Sequence, residues 1–153
     1  MGIHNFARDF QQVTLCPSRQ YLTDDEWQSG LHDLCPVERP DIKNPGEIKP
    51  LDIVMCHLTK QITTAEAEAL GFGKSFRNLH QLLAHFILHN FWAERRPGSP
   101  FPVPDGAFVY FRMLCGVQVR PFMAALDFNF FGLSCCHEQQ LVLSEGDVLL
   151  YAQ

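Results

Sequence analysis

The sequence predicts a single α+β domain, 1–153, in which a small, mostly antiparallel C-terminal sheet packs against two or three helices. Residues 107–153 are rich in aromatic and β-branched side chains and are interrupted by glycines, as strands and turns are. Upstream, two segments carry helix-capping signatures and a third has apolar residues at helical spacing. A chain of 153 residues that is 46% hydrophobic and 19% charged can bury one sizeable core.

Two capping boxes predict where helices begin. In such a box a threonine side chain binds the backbone three residues on, and a glutamate there binds back. The first is formed by Thr23 and Glu26 and precedes a helix expected to end near Leu34; the second is formed by Thr63 and Glu66 and precedes a short helix ending at Leu70.

A third helix is expected over residues 75–94, because apolar residues recur on one side of it at helical spacing. Its opposite side carries His85 and His89, one turn apart, which we expect to be exposed. Pro-rich stretches at about 36–50 and 97–106 predict irregular connectors on either side of the central part of the chain.

Strands are predicted at 51–58, which is almost entirely apolar, and within the aromatic region at the end of the sequence. Residues 141–151 predict a closing hairpin, with two apolar runs joined by a Ser-Glu-Gly-Asp turn. Residues 1–22 have a mixed pattern that fits either an extended arm or a short helix.

Charge and hydropathy exclude some classes of partner. The formal net charge is −5, and the 12 Lys and Arg residues are scattered, so the phosphate neutralisation on which nucleic-acid binding depends is disfavoured. No stretch approaches the roughly 20 apolar residues of a membrane span, and the N-terminus has no signal-peptide pattern. We therefore expect a cytoplasmic or nuclear protein with reduced cysteines.

Zinc is an alternative rather than a predicted cofactor. His85 and His89 have a spacing that lets both imidazoles reach one ion, and adjacent cysteines and histidines elsewhere offer thiolate and imidazole ligands. No C-x-x-C spacing occurs, however, so buried thiols and exposed histidines are the competing interpretation. The candidate ligands are Cys56, His57, His85, His89, Cys135 and His137.

No motif identifies a catalytic residue. An alternative enzyme hypothesis places Arg112 and Glu138 on the C-terminal sheet, because an apolar strand after Glu138 resembles the last strand of ADP-ribosyltransferases. The Glu-Gly-Asp turn near residue 146 likewise resembles that of cupins. The Ser-Thr-Ser strand of the first family and the His-x-His motif of the second are both absent from the sequence.

The first helix carries a candidate interaction motif. Leu31 and Cys35 have the Leu-x-x-x-Cys spacing of the box that docks onto elongin C, in which a helix presents an apolar anchor to a groove. With Trp27 and Trp92 they predict an exposed surface that binds another protein.

Three stretches together resemble segments of the large adenovirus early-region-4 regulatory proteins. They are 22–27 with the Leu-x-x-x-Cys helix that follows, 109–113 and 125–135. Proteins of that family are substrate adaptors that recruit a cullin–elongin ubiquitin ligase. The resemblance implies a non-enzymatic viral regulator that recruits host proteins, although the paired-cysteine motifs of the family are missing here.

Overall fold

Across the residues that it describes, the computed structural model forms a six-stranded sheet, three helices and a two-stranded ribbon. The structure describes residues 5–34, 42–70, 74–91, 108–115, 117–127, 130–135 and 142–153. Within these ranges, residues 89–91, 115, 124–127 and 130–135 are described by their backbone alone.

The main sheet combines strands from both ends of the sequence, so it is not confined to the C-terminal third. Its strands are β1 (Ala7–Leu15), β2 (Leu51–Leu58), β4 (Phe108–Cys115), β5 (Gln118–Asp127), β6 (Phe130–Cys135) and β8 (Val148–Ala152). The ribbon consists of β3 (Ile62–Thr63) and β7 (Val142–Leu143), and the helices are α1 (Asp24–Leu34), α2 (Thr64–Leu70) and α3 (Leu79–Phe91). None of the described helices is long and apolar enough to cross a membrane.

The strands follow the order β1-β2-β8-β4-β5-β6, and every pair is antiparallel except β4 with β8. This confirms the predicted α+β class with a mostly antiparallel sheet. The centre of the sheet is β8, whose Val148, Leu149 and Leu150 are fully buried. Such an unbroken apolar run is typical of a strand that is covered on both faces.

The predicted closing hairpin over 141–151 is wrong. The turn exists, with the amide of Asp147 donating to the carbonyl of Ser144 at 3.1 Å and Gly146 at a φ of 91°. However, β7 pairs with β3, whereas β8 enters the main sheet between β2 and β4. The two apolar runs therefore leave the turn toward different sheets.

We call the side of the sheet that α1 and α3 cover the first face. Phe111 of β4 lies at its centre, with ring centroids of Phe76, Phe86 and Phe122 at 6.1, 5.6 and 5.9 Å. Edge-on and offset arrangements at these distances are favourable for aromatic pairs. Four of the 13 phenylalanines of the chain are thus used to fill one core.

The other side, the second face, packs against α2 and the ribbon. Its core includes Cys56, Tyr110 and Leu149 from the sheet and Ala67 from α2. The hydroxyl of Tyr110 donates a hydrogen bond to the carboxylate of Glu68, which fastens α2 to the strand beneath it. Because α2 is only 7 residues long, it covers part of this face.

Both capping boxes form as the sequence predicts. The amide of Glu26 donates to the hydroxyl of Thr23 at 3.1 Å, and the amide of Thr23 donates to the carboxylate of Glu26 at 3.0 Å. Thr63 and Glu66 repeat the arrangement, with both distances 3.1 Å. A hydrogen bond from Arg19, at 2.6 Å, is the largest influence on Glu26 and lowers the pKa of its carboxyl to about 2.

The third helix begins at Leu79 rather than at residue 75, because residues 74–76 are used in the sheet. The amide of Phe76 donates to the carbonyl of Arg112 at 2.9 Å, and that of Leu114 donates to Phe76 at 2.7 Å. Residues 74–76 thus lie beside the C-terminal half of β4, beyond the stretch that pairs with β8. The chain passes there from the second face, where α2 packs, to the first, where α3 packs.

Candidate interaction surface

The predicted zinc ligands Cys56 and His57 lie on opposite sides of β2, as expected for neighbours in a strand. Cys56 is fully buried on the second face, and burial raises the pKa of its thiol to about 12. The thiolate required of a nucleophile or a metal ligand is therefore strongly disfavoured. These two side chains do not form a joint site.

The expected exposure of His85 is wrong, because its side chain is 0% exposed. Its Nε2 donates to the carbonyl of Lys49 at 2.6 Å. One turn earlier in α3, the side chain of Gln81 makes two hydrogen bonds. Its Nε2 donates to the carbonyl of Glu47 at 2.9 Å, and its Oε1 accepts from the backbone amide of Lys49 at 3.0 Å. These two side chains fasten the end of the Pro-rich connector to α3, and burial lowers the pKa of His85.

The remaining predicted ligands are only partly described. His89 and Cys135 lie in α3 and β6, where the structure gives the backbone alone, and His137 is outside the described residues. Within the described part of the chain, no group of three His, Cys, Asp or Glu side chains converges on a metal site.

Two of the predicted interaction residues belong to the core. Trp27 and Leu31 are each 1% exposed, and the Trp27 indole donates to the carbonyl of Ile42 at 3.0 Å. Their expected role as exposed anchors is therefore wrong in this fold, because the apolar side of α1 is turned toward α3 and the sheet. Cys35 and Trp92 lie outside the described residues.

The packing of α1 explains its glycine. A Cβ atom added to Gly30 would lie 2.7 Å from Cγ2 of Ile87 in α3, closer than side-chain atoms pack. Gly30 thus allows the two helices to approach each other.

The residues of the enzyme hypothesis are not seen together. Arg112 lies half-buried on the second face of β4, and Glu138 is outside the described residues. In the cupin-like turn, the buried carboxylate of Asp147 accepts from the amides of Ser144, at 2.8 Å, and Phe108, at 3.1 Å. Asp147 therefore holds the turn against the start of β4.

The hairpin of β4 and β5 extends beyond the part of the second face that α2 packs against. Opposite residues in the two strands share a face, so the pairs Tyr110–Met123 and Leu114–Val119 point to the same side. Tyr110 and Met123 are buried in the cluster with α2, whereas Leu114 is half-buried and Val119 is 47% exposed. Apolar surface therefore continues from a covered core to solvent.

We name this surface the hairpin strip and define it as Arg112, Leu114, Val119 and Pro121, which face the same side of the sheet. Val117, at the turn beside it, is 97% exposed. Sequence reasoning missed this surface, although a signal was present: apolar residues surround the glycine of a turn, where polar residues are usual. A contiguous exposed apolar surface is a feature of sites that bind other molecules.

Comparison with known proteins gives no family. No protein family matches the chain, and no curated protein and no solved structure is detectably similar to it.

Proposed function

We propose that this is a non-enzymatic interaction protein, a regulator that binds a partner protein through the hairpin strip. The observation that supports the proposal is the position of Leu114 and Val119, which extend the apolar second face past its covering helix. Burying exposed apolar surface of this kind contributes roughly 25 cal/mol per Å² before the costs of association.

The surroundings of the strip suit a protein partner. Arginine is enriched at the centres of protein interfaces, and Arg112 lies directly opposite Pro121 within the strip. The strip is also carried on paired strands rather than on a long loop, so little ordering is required on binding.

The resemblance to the adenovirus regulators suggests a finer version of this proposal. In that version the protein is a viral adaptor in the cytoplasm or nucleus that recruits host proteins, including elongin and cullin ligase components. Since Trp27 and Leu31 are buried, the partner would contact the hairpin strip rather than these two residues.

The test is affinity purification of the tagged chain from cells, with Val119→Glu compared with Val142→Glu. Val142 is a matched control, since it is a strand valine that is 51% exposed but lies in the separate ribbon. We expect Val119→Glu to reduce the amount of the specific partner that is recovered at least tenfold, and Val142→Glu to leave that amount unchanged. The circular dichroism of both variants should be unchanged. Equal recovery with both variants would contradict the proposal, and elongin subunits among the lost partners would support the adaptor version.

A further inference from the structure

The strand β1 forms one edge of the main sheet. Among the described residues it pairs only with β2. The backbone N–H and C=O groups of alternate residues in β1 therefore point outward, away from the sheet. The opposite edge, β6, lies alongside α1. The two edges therefore differ in their surroundings, because no helix in the described part of the chain packs against β1 as extensively as α1 packs against β6.

The two halves of β1 are built differently. Near its start the register with β2 shifts between Arg8 and Gln11, and Asp9 adopts a φ of 56°. A bulge with charged residues is a common way to prevent pairing at a sheet edge. Residues 11–15, in contrast, keep a regular register and contain no charged side chain. Protection is thus confined to the first half.

The regular half presents a different chemistry on each face. Val13 is partly buried and packs against the first-face core, while Leu15 is fully buried in it. On the second face, Gln12 and Thr14 are exposed, and the Thr14 hydroxyl donates to the exposed carboxylate of Asp52 at 2.6 Å. From Val13 onward the edge is therefore apolar toward the first face, where the preceding Gln11 is exposed, and it is polar with a negative charge toward the second face.

We infer that residues 11–15 of β1 accept an extended segment of a partner protein as a seventh strand of the sheet. Backbone hydrogen bonds to the outer side of β1 would hold the segment, as in other cases of strand addition. Side chains on one side of it would be apolar and cover Val13. Those on the other side would be basic, because the exposed carboxylate of Asp52 and the net charge of −5 favour a cationic segment.

This surface is separate from the hairpin strip. Three strand spacings of about 4.8 Å separate β1 from β4, the nearer strand of the strip, so the two surfaces are roughly 14 Å apart across the sheet. An extended segment at β1 and a partner at the strip can be bound together. The inference extends the proposed function, since it makes the protein a bridge between two partners, but it does not depend on the strip.

The first experiment uses two synthetic hexapeptides, one of alternating lysine and valine and one of alternating glutamate and valine. Amide hydrogen exchange is followed by NMR with and without each peptide. We expect the outward amides of residues 11–15 to exchange quickly in the free protein and at least tenfold more slowly with the lysine peptide. Fluorescence anisotropy should show about threefold weaker binding of the glutamate peptide.

Variants identify the site. Asp52→Asn should reduce the preference for the lysine peptide, whereas Glu145→Gln, which removes an exposed carboxylate elsewhere, should leave it unchanged. Gln11 and Gln12 are neighbours, so the backbone N–H of one points outward and that of the other points to β2. Proline at the outward position should abolish peptide binding with little loss of stability, because it removes no hydrogen bond to β2. Proline at the other position should destabilise the sheet.

Three results would overturn the inference. The first is unchanged exchange throughout residues 11–15 at millimolar lysine peptide. The second is exchange at residues 11–15 of the free protein that becomes slower as the protein concentration rises. That result would mean that a second copy of this chain pairs with β1. The third is peptide binding that survives both proline substitutions. Loss of binding to Val119→Glu alone would concern the hairpin strip and not this edge.

Discussion

The two faces of the sheet are covered to different extents. On the first face, α1 and α3 bury a core around Phe111 that includes Trp27 and Leu31. On the second face, the short α2 and the ribbon bury Tyr110 and its neighbours, and apolar surface then continues into the hairpin strip. Side chains of similar chemistry are therefore enclosed on one face and partly exposed on the other.

This difference indicates how stability and binding are divided in the molecule. An enclosed aromatic contributes to the free energy of folding through burial and close packing. An exposed valine contributes little to folding and keeps its apolar surface available for another molecule. We therefore expect first-face substitutions to change stability and hairpin-strip substitutions to change binding.

The largest effect is expected for Phe111→Ala, which empties the centre of the first-face core. Loss of a buried phenylalanine should lower the free energy of unfolding by about 3–5 kcal/mol. Val119→Ala on the hairpin strip should change it by less than about 0.5 kcal/mol. Urea unfolding monitored by fluorescence measures both. Similar losses for the two variants would remove the distinction between the faces.

A smaller loss is expected for Gly30→Ala, which places a methyl group against Ile87 between α1 and α3. Alanine favours a helix over glycine by about 1 kcal/mol, but overpacking costs about 1–3 kcal/mol, so the net change should be destabilising. Ile87→Ala removes the clashing atoms, and the double variant should be more stable than the sum of the two single effects predicts. Strict additivity would show that this contact does not limit helix approach.

The smallest effect concerns pH. Burial lowers the pKa of His85 below its ordinary value of 6.5, so the unfolded chain takes up a proton that the folded chain excludes. Its contribution to stability is complete above about pH 6.5 and falls as the pH decreases toward the folded pKa, by at most about 1.4 kcal/mol per pH unit.

The matched variants for this prediction are on the same helix. His85→Gln keeps a donor for the carbonyl of Lys49 and should flatten the pH dependence of the unfolding free energy in that range. His80→Gln, at an exposed position, should leave the slope as it is. An unchanged slope in His85→Gln would mean that this buried histidine is not the titrating group.

Features with local causes could be predicted from the sequence. The capping boxes of α1 and α2 join residues three positions apart, so Thr23 with Glu26 and Thr63 with Glu66 determine them directly. The strand over 51–58 was likewise evident from its apolar run. The hydrogen bonds of the capping boxes do not depend on how the rest of the chain folds.

Features that depend on residues far apart in the sequence could not be predicted in this way. The apolar run of β8 fits a hairpin equally well, and only its pairing with β2, about 95 residues earlier, and with β4 excludes one. The sequence predicts that His85 is exposed because the connector that covers it has no regular hydrophobic pattern. Its position against α3 therefore cannot be predicted from sequence. The interaction motif places Trp27 and Leu31 on the surface, but α3 and the sheet cover that side of α1. A helix shows which of its sides is apolar, but not how completely that side will be covered.

The central position of β8 has a consequence for the folding of this protein. Every other described strand of the main sheet precedes β8 in the sequence, yet in the described part of the chain β8 alone pairs β1 and β2 with β4, β5 and β6. Without β8, the pair β1–β2 and the group β4–β5–β6 would each present an unpaired inner edge. The two groups can join only once residues 148–152 are available, so the strand edges that β8 covers are exposed to chaperones or other chains until β8 pairs.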